Sequence, residues 1–399
     1  MTMKKAIFPL LILLLMLTLP ALADEAVDIT AEATLTASSK KTTLYKAYDR
    51  DVEKIWTSNK ERHPYIEVET ETPCYGVYIC MGGTLRPWVV QKANGKSWET
   101  VATGEGLYAH EYVALDGLTH FRITYADNKK YELSVNELYL LSEGDVPDWV
   151  QRWQPTVEKA DLMILVAHPD DEILFMGGML PEYAGERKMN VVVCYMTCNT
   201  TGRRTELLNG LWLCGVRTYP DIGEFWDKYS LRKTDVIYKA WKGKTNVHKY
   251  VAGLIRKYKP EVLVTQDVKG EYGHGAHMVC AEAAQSCVVS AADETKFSAS
   301  YQEYGTWQVK KLYIHLYKEN QIELDWDKPL ASQNGRTGFE VAEEAYTLHA
   351  SQPQNKQYRV EPRDSEKSCY LFGLAYTTVG LDVEKNDLFE NIPLASSGE

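Results

Sequence analysis

Two short clusters gather the side chains of this 399-residue chain that could hydrolyse a resistant bond. The first is Ala167-His168-Pro169-Asp170-Asp171-Glu172, and the second is Tyr272-Gly273-His274-Gly275-Ala276-His277. His168 and Asp171 are three apart, as are His274 and His277, and in a tight loop-to-helix turn that spacing brings both members of a pair to one point. Two imidazoles and a carboxylate suit a zinc ion that keeps one coordination position open. Such an ion answers the difficulty of amide hydrolysis, because it lowers the pKa of a bound water to about 7 and polarises a carbonyl that is otherwise a poor electrophile. A further carboxylate must stay off the metal to act as base, and a donor must steady the developing oxyanion. Each cluster alone has a plainer reading. Asp-Asp-Glu at a helix start caps free N–H groups and meets the positive end of the helix dipole, and glycine-flanked histidines also occur in polar loops. Two His-bearing clusters at the same kind of junction favour the chemical reading.

The junctions follow from the pattern around them. Leu162–Val166 is a short apolar run suited to a buried strand, with a helix from about Asp171. Val191–Met196, Val262–Thr265 and Val309–Tyr317 read as further strands. Arg203–Leu213, Asn246–Tyr258 and His277–Ala292 read as helices, the second with Val247, Val251, Leu254 and Ile255 at helical spacing. Strands alternating with helices predict a Rossmann-like α/β domain with a mostly parallel sheet. Ligands of such sheets collect at the carboxyl ends of the strands, where both clusters fall.

Upstream the pattern differs. Tyr65–Glu69, Gly76–Cys80, Trp98–Ala102, Tyr112–Leu115, Phe121–Tyr125 and Glu137–Leu141 read as short strands, broken by turns such as Ala93-Asn94-Gly95. An all-β sandwich over 24–143 is expected, then a linker over 144–158 carrying Pro147 and Pro155. The α/β domain takes 159–385, and 386–399 reads as a tail that frays. At the start, Lys4 and Lys5 precede an apolar run, and Ala21-Leu22-Ala23 gives a small-x-small cleavage pattern. Residues 1–23 therefore read as a signal peptide, which makes the mature protein secreted or bound to the cell envelope without a membrane span.

A net charge of −11 without a Lys/Arg-rich run excludes a nucleic-acid footprint. Cys194, Cys198, Cys280 and Cys287 lie in apolar stretches and read as reduced core residues, whereas Cys74 and Cys80 are a disulfide candidate. No HExxH occurs, so a zincin peptidase has no footing.

Lys46-Ala47-Tyr48-Asp49-Arg50-Asp51 through Trp56-Thr57-Ser58, with Val135-Asn136-Glu137-Leu138-Tyr139-Leu140 later, resembles the opening and closing segments of discoidin-type (coagulation factor 5/8 C-type) domains. The resemblance implies a jelly-roll module that binds a surface glycan, localising the enzyme without supplying catalytic groups. Trp56 reads as core, and Trp88, beside Pro87 in an expected loop, reads as structural first and as a glycan contact second.

Val166-Ala167-His168-Pro169-Asp170-Asp171-Glu172 with Gly177-Gly178 resembles the A-H-P-D-D signature of the GlcNAc-phosphatidylinositol deacetylase (PIG-L/LmbE-like) superfamily. Arg203-Arg204-Thr205-Glu206-Leu207, His274–His277 and His349-Ala350-Ser351-Gln352 are similar to its later motifs, in order. The resemblance implies one zinc ion held by His168, Asp171 and His277, with Asp170 as general base. It gives His274 the oxyanion or the leaving amine, Tyr272 an assisting place at the carbonyl, and Arg203 and Asp227 contacts to an amino-sugar substrate. The implied activity is removal of an acetyl group from a GlcNAc-containing glycan. Two rivals are a glycan-binding adhesion protein with an inert α/β domain and a zinc amidase acting on other acyl amides. One departure stands out: the acidic residue that the family carries between the two histidines of the H-x-x-H element is absent, so whatever tunes His274 comes from elsewhere.

Overall fold

A computed structural model describes residues 24–198, 200–355 and 358–393. The signal segment 1–23 lies outside the described residues. Among those described, no helix is long and apolar enough to cross a membrane.

The N-terminal region is β-rich. It contains β1 (Thr34–Ala37), β2 (Trp56–Thr57), β3 (Glu61–Arg62), β4 (Tyr65–Met81), β5 (Trp88–Asn94), β6 (Ser97–Gly104), β7 (His110–Tyr125), β8 (Lys130–Tyr131) and β9 (Ser134–Leu141). The sheet runs β2-β9-β4-β7-β5-β6 with β1 on β4, all antiparallel, and β3 pairs with β8. Sequence patterning split β4 and β7 into two strands each. The polar residues that read as turns are irregularities within continuous strands, where the β4–β7 register shifts between Glu69 and Gly76. Continuity also settles the disulfide candidate. Cys74 and Cys80 sit on one extended strand, which holds them roughly 20 Å apart at about 3.3 Å per residue, and both thiols are free and buried. Trp56 is core as expected. Trp88 is structural too, though in strand β5 and not in a loop: it lies fully buried, which leaves no glycan contact, and its indole N–H donates to Glu111 Oε2 at 2.6 Å. A buried indole needs such a partner.

The second region holds β10 (Leu162–Val166), α1 (Asp171–Leu174), β11 (Val191–Tyr195), α2 (Thr201–Leu213), β12 (Asp221–Ile222), α3 (Thr234–Ala240), α4 (Lys244–Tyr258) and β13 (Val262–Thr265). It continues with α5 (Gly275–Ser290), α6 (Ser298–Tyr304), β14 (Lys311–His315), β15 (Gln321–Glu323), α7 (Gly338–Thr347) and β16 (Leu371–Thr377). The sheet order is β12-β11-β10-β13-β14-β16-β15, parallel through β14, with β16 and β15 added antiparallel. Alternate residues of the buried strands feed two cores, one per face. Ile164, Val193 and Val264 pack with Leu207 and Leu211 of α2 on one side. Leu165, Cys194 and Leu263 pack with Val251 of α4 and Cys280 of α5 on the other. From β10 the chain winds outward through β11 and β12, then returns to β13 on the opposite flank. The carboxyl ends of β10 and β13 therefore face the point where winding reverses, the place where such sheets bind ligands.

The stretch 144–158 is packed rather than free, with Val150 and Trp153 buried. Likewise Leu388, Phe389 and Ile392 of the expected tail are buried, and 394–399 lie outside the described residues. The two regions meet along α2. Gly82 O accepts from Thr201 Oγ1 at 2.8 Å, Met81 O from Arg204 at 2.8 Å, and Asn136 Oδ1 from Thr205 Oγ1 at 2.8 Å.

His110 lies near this junction, buried and 2.9 Å from the Tyr78 hydroxyl through Nδ1. Burial, with Arg204 nearby, pushes its pKa down to about 3. An unfolded histidine titrates near 6.5. The folded protein thus refuses a proton that the unfolded chain accepts, and stability present above pH 6.5 is lost as the pH falls toward 3. Comparing wild type with His110→Gln by denaturant unfolding, the stability advantage of wild type should shrink by about 2 kcal/mol between pH 7 and pH 5. A pH-independent difference would contradict this account.

Candidate active site

After β10 the chain turns sharply. Asp170 adopts φ 106°, in the left-handed region that residues other than glycine seldom enter and that is concentrated at functional sites. The turn is held by its own acids: the His168 N–H donates to Asp171 Oδ2 at 2.8 Å, and the Asp170 N–H to Glu172 Oε2 at 3.0 Å. The helix that follows lasts one turn before Gly177, φ 54°, where a Cβ would come within 2.4 Å of Cys369 Sγ. After β13, the loop to α5 folds tightly enough that a Cβ on Gly270 would lie 2.4 Å from His274 O. Gln266 joins the two loops by accepting from the Ala167 N–H at 2.9 Å.

These turns bring His168, His274 and His277 together, with ligand atoms within 4.8 Å of one another. Asp171 lies between two of them, Oδ2 at 3.1 Å from His168 Nδ1 and Oδ1 at 3.3 Å from His277 Nε2. Ligands about 2.0–2.2 Å from one tetrahedral zinc ion stand roughly 3.3–3.6 Å apart, so the spacing fits. His277 Nε2 is buried without a hydrogen bond, 3.3 Å from Asp171 Oδ1. The outer nitrogens of both imidazoles face carboxylates: His277 Nδ1 is 2.6 Å from Glu271 Oε2, and His168 Nε2 is 3.4 Å from Asp227 Oδ1. Carboxylates on the far nitrogen are how proteins orient histidine metal ligands.

The electrostatics fit a site built for a cation. Burial opposes charge on His277, but Asp171 and Glu271 outweigh it and raise its pKa to about 10. Burial would raise Asp171, yet His277 and His168 hold it well below the usual carboxylate range. Asp170 is pushed up to about 7 by burial and by Asp171, against the pull of Arg203 and the histidines. Glu172 is pushed to about 8 by burial and Asp170, which leaves it a neutral acid inside the fold. His274 is lowered to about 3 by burial and by the charge on His277 and His168.

The eight residues singled out in the sequence fall in one place. All but His277 line a cleft of ≈ 160 Å³, and His277 is fully buried with Nε2 3.3 Å from Asp171 Oδ1. Tyr272 is 37% exposed at its rim, its ring 5.7 Å from that of His274. Arg203, whose N–H caps α2 on Thr200 Oγ1, sends its guanidinium to the Pro169 carbonyl and to Asp170 Oδ2 at 3.3 Å. Asp227 lies against His168 as well as facing the cleft. The late motif is tied to α2 as well: Glu206 accepts from the Ser351 N–H and hydroxyl, each at 2.7 Å, and Gln352 reaches the cleft. His349 is buried beside Arg203 and pushed down to about 3. Sequence reasoning missed Glu271, whose side chain is fully buried, lies 3.1 Å from His315 Nδ1 and accepts from the Asp267 N–H at 2.8 Å. It is an acid six positions before His277 in a glycine-flanked loop, and that placement was its only signal.

Residues 163–288 form a PIG-L family domain: they match the family model described as GlcNAc-PI de-N-acetylase. Among curated proteins, the chain is similar to the 1D-myo-inositol 2-acetamido-2-deoxy-alpha-D-glucopyranoside deacetylase of Rhodococcus jostii, 28% identical over 193 residues. That match takes in 41% of this chain and 63% of the relative, a little under two thirds of its length. Among solved structures, the N,N'-diacetylchitobiose deacetylase from Pyrococcus horikoshii aligns with 49% of this chain and 72% of its own, at 16% identity and a TM-score of 0.36. The F5/8 type C domain of a Bacteroides fragilis protein aligns with 31% of this chain and 99% of its own, at 15% identity and a TM-score of 0.25.

Proposed function

We propose that this chain is an exported, zinc-dependent N-deacetylase that hydrolyses the N-acetyl amide of a GlcNAc-containing glycan or glycoconjugate. The observation that carries the proposal is Asp171 set between two imidazoles, with a second acid, Asp170, beside it and paired instead with Arg203. His168 through Nδ1, Asp171, and His277 through Nε2 would hold the zinc. When bound, it would supply Lewis acidity toward the amide carbonyl and the attacking water. His274, whose ring nitrogen also clusters with those of His168 and His277, is assigned to the carbonyl side, since Asp171 already lies between the other two and three protein ligands keep a position open.

Asp170, with a pKa near 7, is suited to take the proton of the attacking water and to pass it toward the leaving amine. Neutral His274 is suited to donate a hydrogen bond to the developing oxyanion, assisted by Tyr272 at the rim. Its low pKa disfavours a role as the proton-bearing acid, consistent with the missing acid in the H-x-x-H element. Arg203 would fix the charge of Asp170 and reach a sugar hydroxyl, and Asp227 would orient His168 at the same cleft. The signal-like segment supports a site of action outside the cytoplasm, and the β-rich module would hold the enzyme on a surface glycan.

Purified protein incubated with a panel of N-acetylated mono- and oligosaccharides should release free amine. A chelator should abolish the release, and zinc should restore it. Failure of zinc-loaded protein to release amine from any N-acetyl sugar would overturn the proposal.

A further inference from the structure

The loop between β12 and α3 carries two large aromatic side chains that nothing covers. Trp226 is 69% exposed and Tyr229 is 67% exposed. Their loop is nonetheless pinned on both sides. The Trp226 carbonyl accepts from the Trp241 indole N–H at 2.9 Å. Further on, Ser230 O accepts from the Gly275 N–H at 2.7 Å, and the Arg232 N–H donates to Gly273 O at 2.7 Å. The loop is thus bonded to the segment that carries His274, and the Tyr229 ring stands 5.4 Å from the His274 ring. Rings held out into solvent on a fixed main chain are pre-set stacking surfaces, because their orientation costs little further entropy on binding.

Cavity sizes point the same way. The ≈ 160 Å³ cleft over the histidines is below the roughly 300–1,000 Å³ of sites that hold a small molecule whole. Asp227 lines that cleft, and the residue before it, Trp226, lines a cavity of ≈ 630 Å³ together with Phe225, Trp241, Asn246 and Lys249 among others. Tyr229 lines the first cavity and Trp226 the second, so one short loop borders both. Pyranose rings offer an apolar C–H face to an aromatic ring and hydroxyl edges to polar groups, and this cavity presents both. Tyrosine and tryptophan suit such half-wet contacts.

We infer that Trp226 and Tyr229 form a second sugar subsite, occupied by the ring glycosidically linked to the residue being deacetylated, and that the enzyme prefers an oligosaccharide to a free amino sugar. The inference rests on the N-deacetylase reading above. Its test compares kcat/KM on N-acetylglucosamine and on its β-1,4-linked tetramer, for wild type, Trp226→Ala and Trp226→Phe. Wild type should favour the tetramer, and Trp226→Ala should lower the tetramer-to-monomer ratio about tenfold, chiefly through KM, with Trp226→Phe recovering part of it. A ratio unchanged in Trp226→Ala would overturn the subsite and leave the deacetylase standing. No amine from either sugar with wild type would overturn the deacetylase reading and the subsite together.

Discussion

Asp170→Asn is expected to keep the full metal content of the protein and to lose amide hydrolysis by about 10²-fold or more. The expectation depends on separating two adjacent acids. Asp171 lies between His168 and His277, and its charge is stabilised there. Asp170 is paired with Arg203, and burial beside Asp171 brings it to about pH 7, near the optimum for a base at neutral pH. Asparagine keeps the shape, tolerates the left-handed backbone at this position, and removes the basic oxygen. The complementary variants, His168→Ala and His277→Ala, should lose the metal, measured by elemental analysis. Near-normal turnover in Asp170→Asn would assign the base elsewhere, and full metal in both alanine variants would remove the ligand set.

What was legible in the sequence was what is local. His168 to Asp171 and His274 to His277 are each one turn of chain, and each comes after a short apolar run suited to a buried strand. The alternation of strand and helix then fixed the edge of the sheet where both would meet. The β-rich region was harder, since β4 and β7 pass through polar stretches without ending, and pairing on both flanks overrides the turn propensity of those residues. The antiparallel β16, seven residues with Gly373 inside, leaves a pattern too short to separate from loop. Contacts through space left no local trace at all. Asp227 meets His168 across 59 positions of chain, and α2, the helix that carries Arg203, donates three hydrogen bonds to the β-rich region. A module read as a detachable anchor is thereby joined to the helix that positions the partner of Asp170.

Glu271 is the sharpest case, and its replacement by glutamine should weaken metal binding by about 10- to 100-fold with the fold retained. The carboxylate accepts from the Asp267 N–H through Oε1 and faces His277 Nδ1 through Oε2. For His277 to ligate a metal it must be neutral with its proton on Nδ1, and an acceptor at Oε2 holds that proton there and leaves Nε2 for the metal. In Glu271→Gln, the Asp267 N–H holds the amide oxygen at the Oε1 place, so the amide NH₂ must face His277. A donor there demands a lone pair on Nδ1 and drives the proton to Nε2, the nitrogen that has to ligate. The substitution is nearly isosteric, and the loop that carries it is fixed by the turn at Gly270, so backbone geometry should persist. Zinc affinity measured by competition with a chromogenic chelator, beside a thermal melt of the metal-free protein, distinguishes the two effects. A wild-type dissociation constant in Glu271→Gln would show that His277 keeps its tautomer without the carboxylate. A collapsed melting temperature would make Glu271 a packing residue instead of the orienting partner argued here.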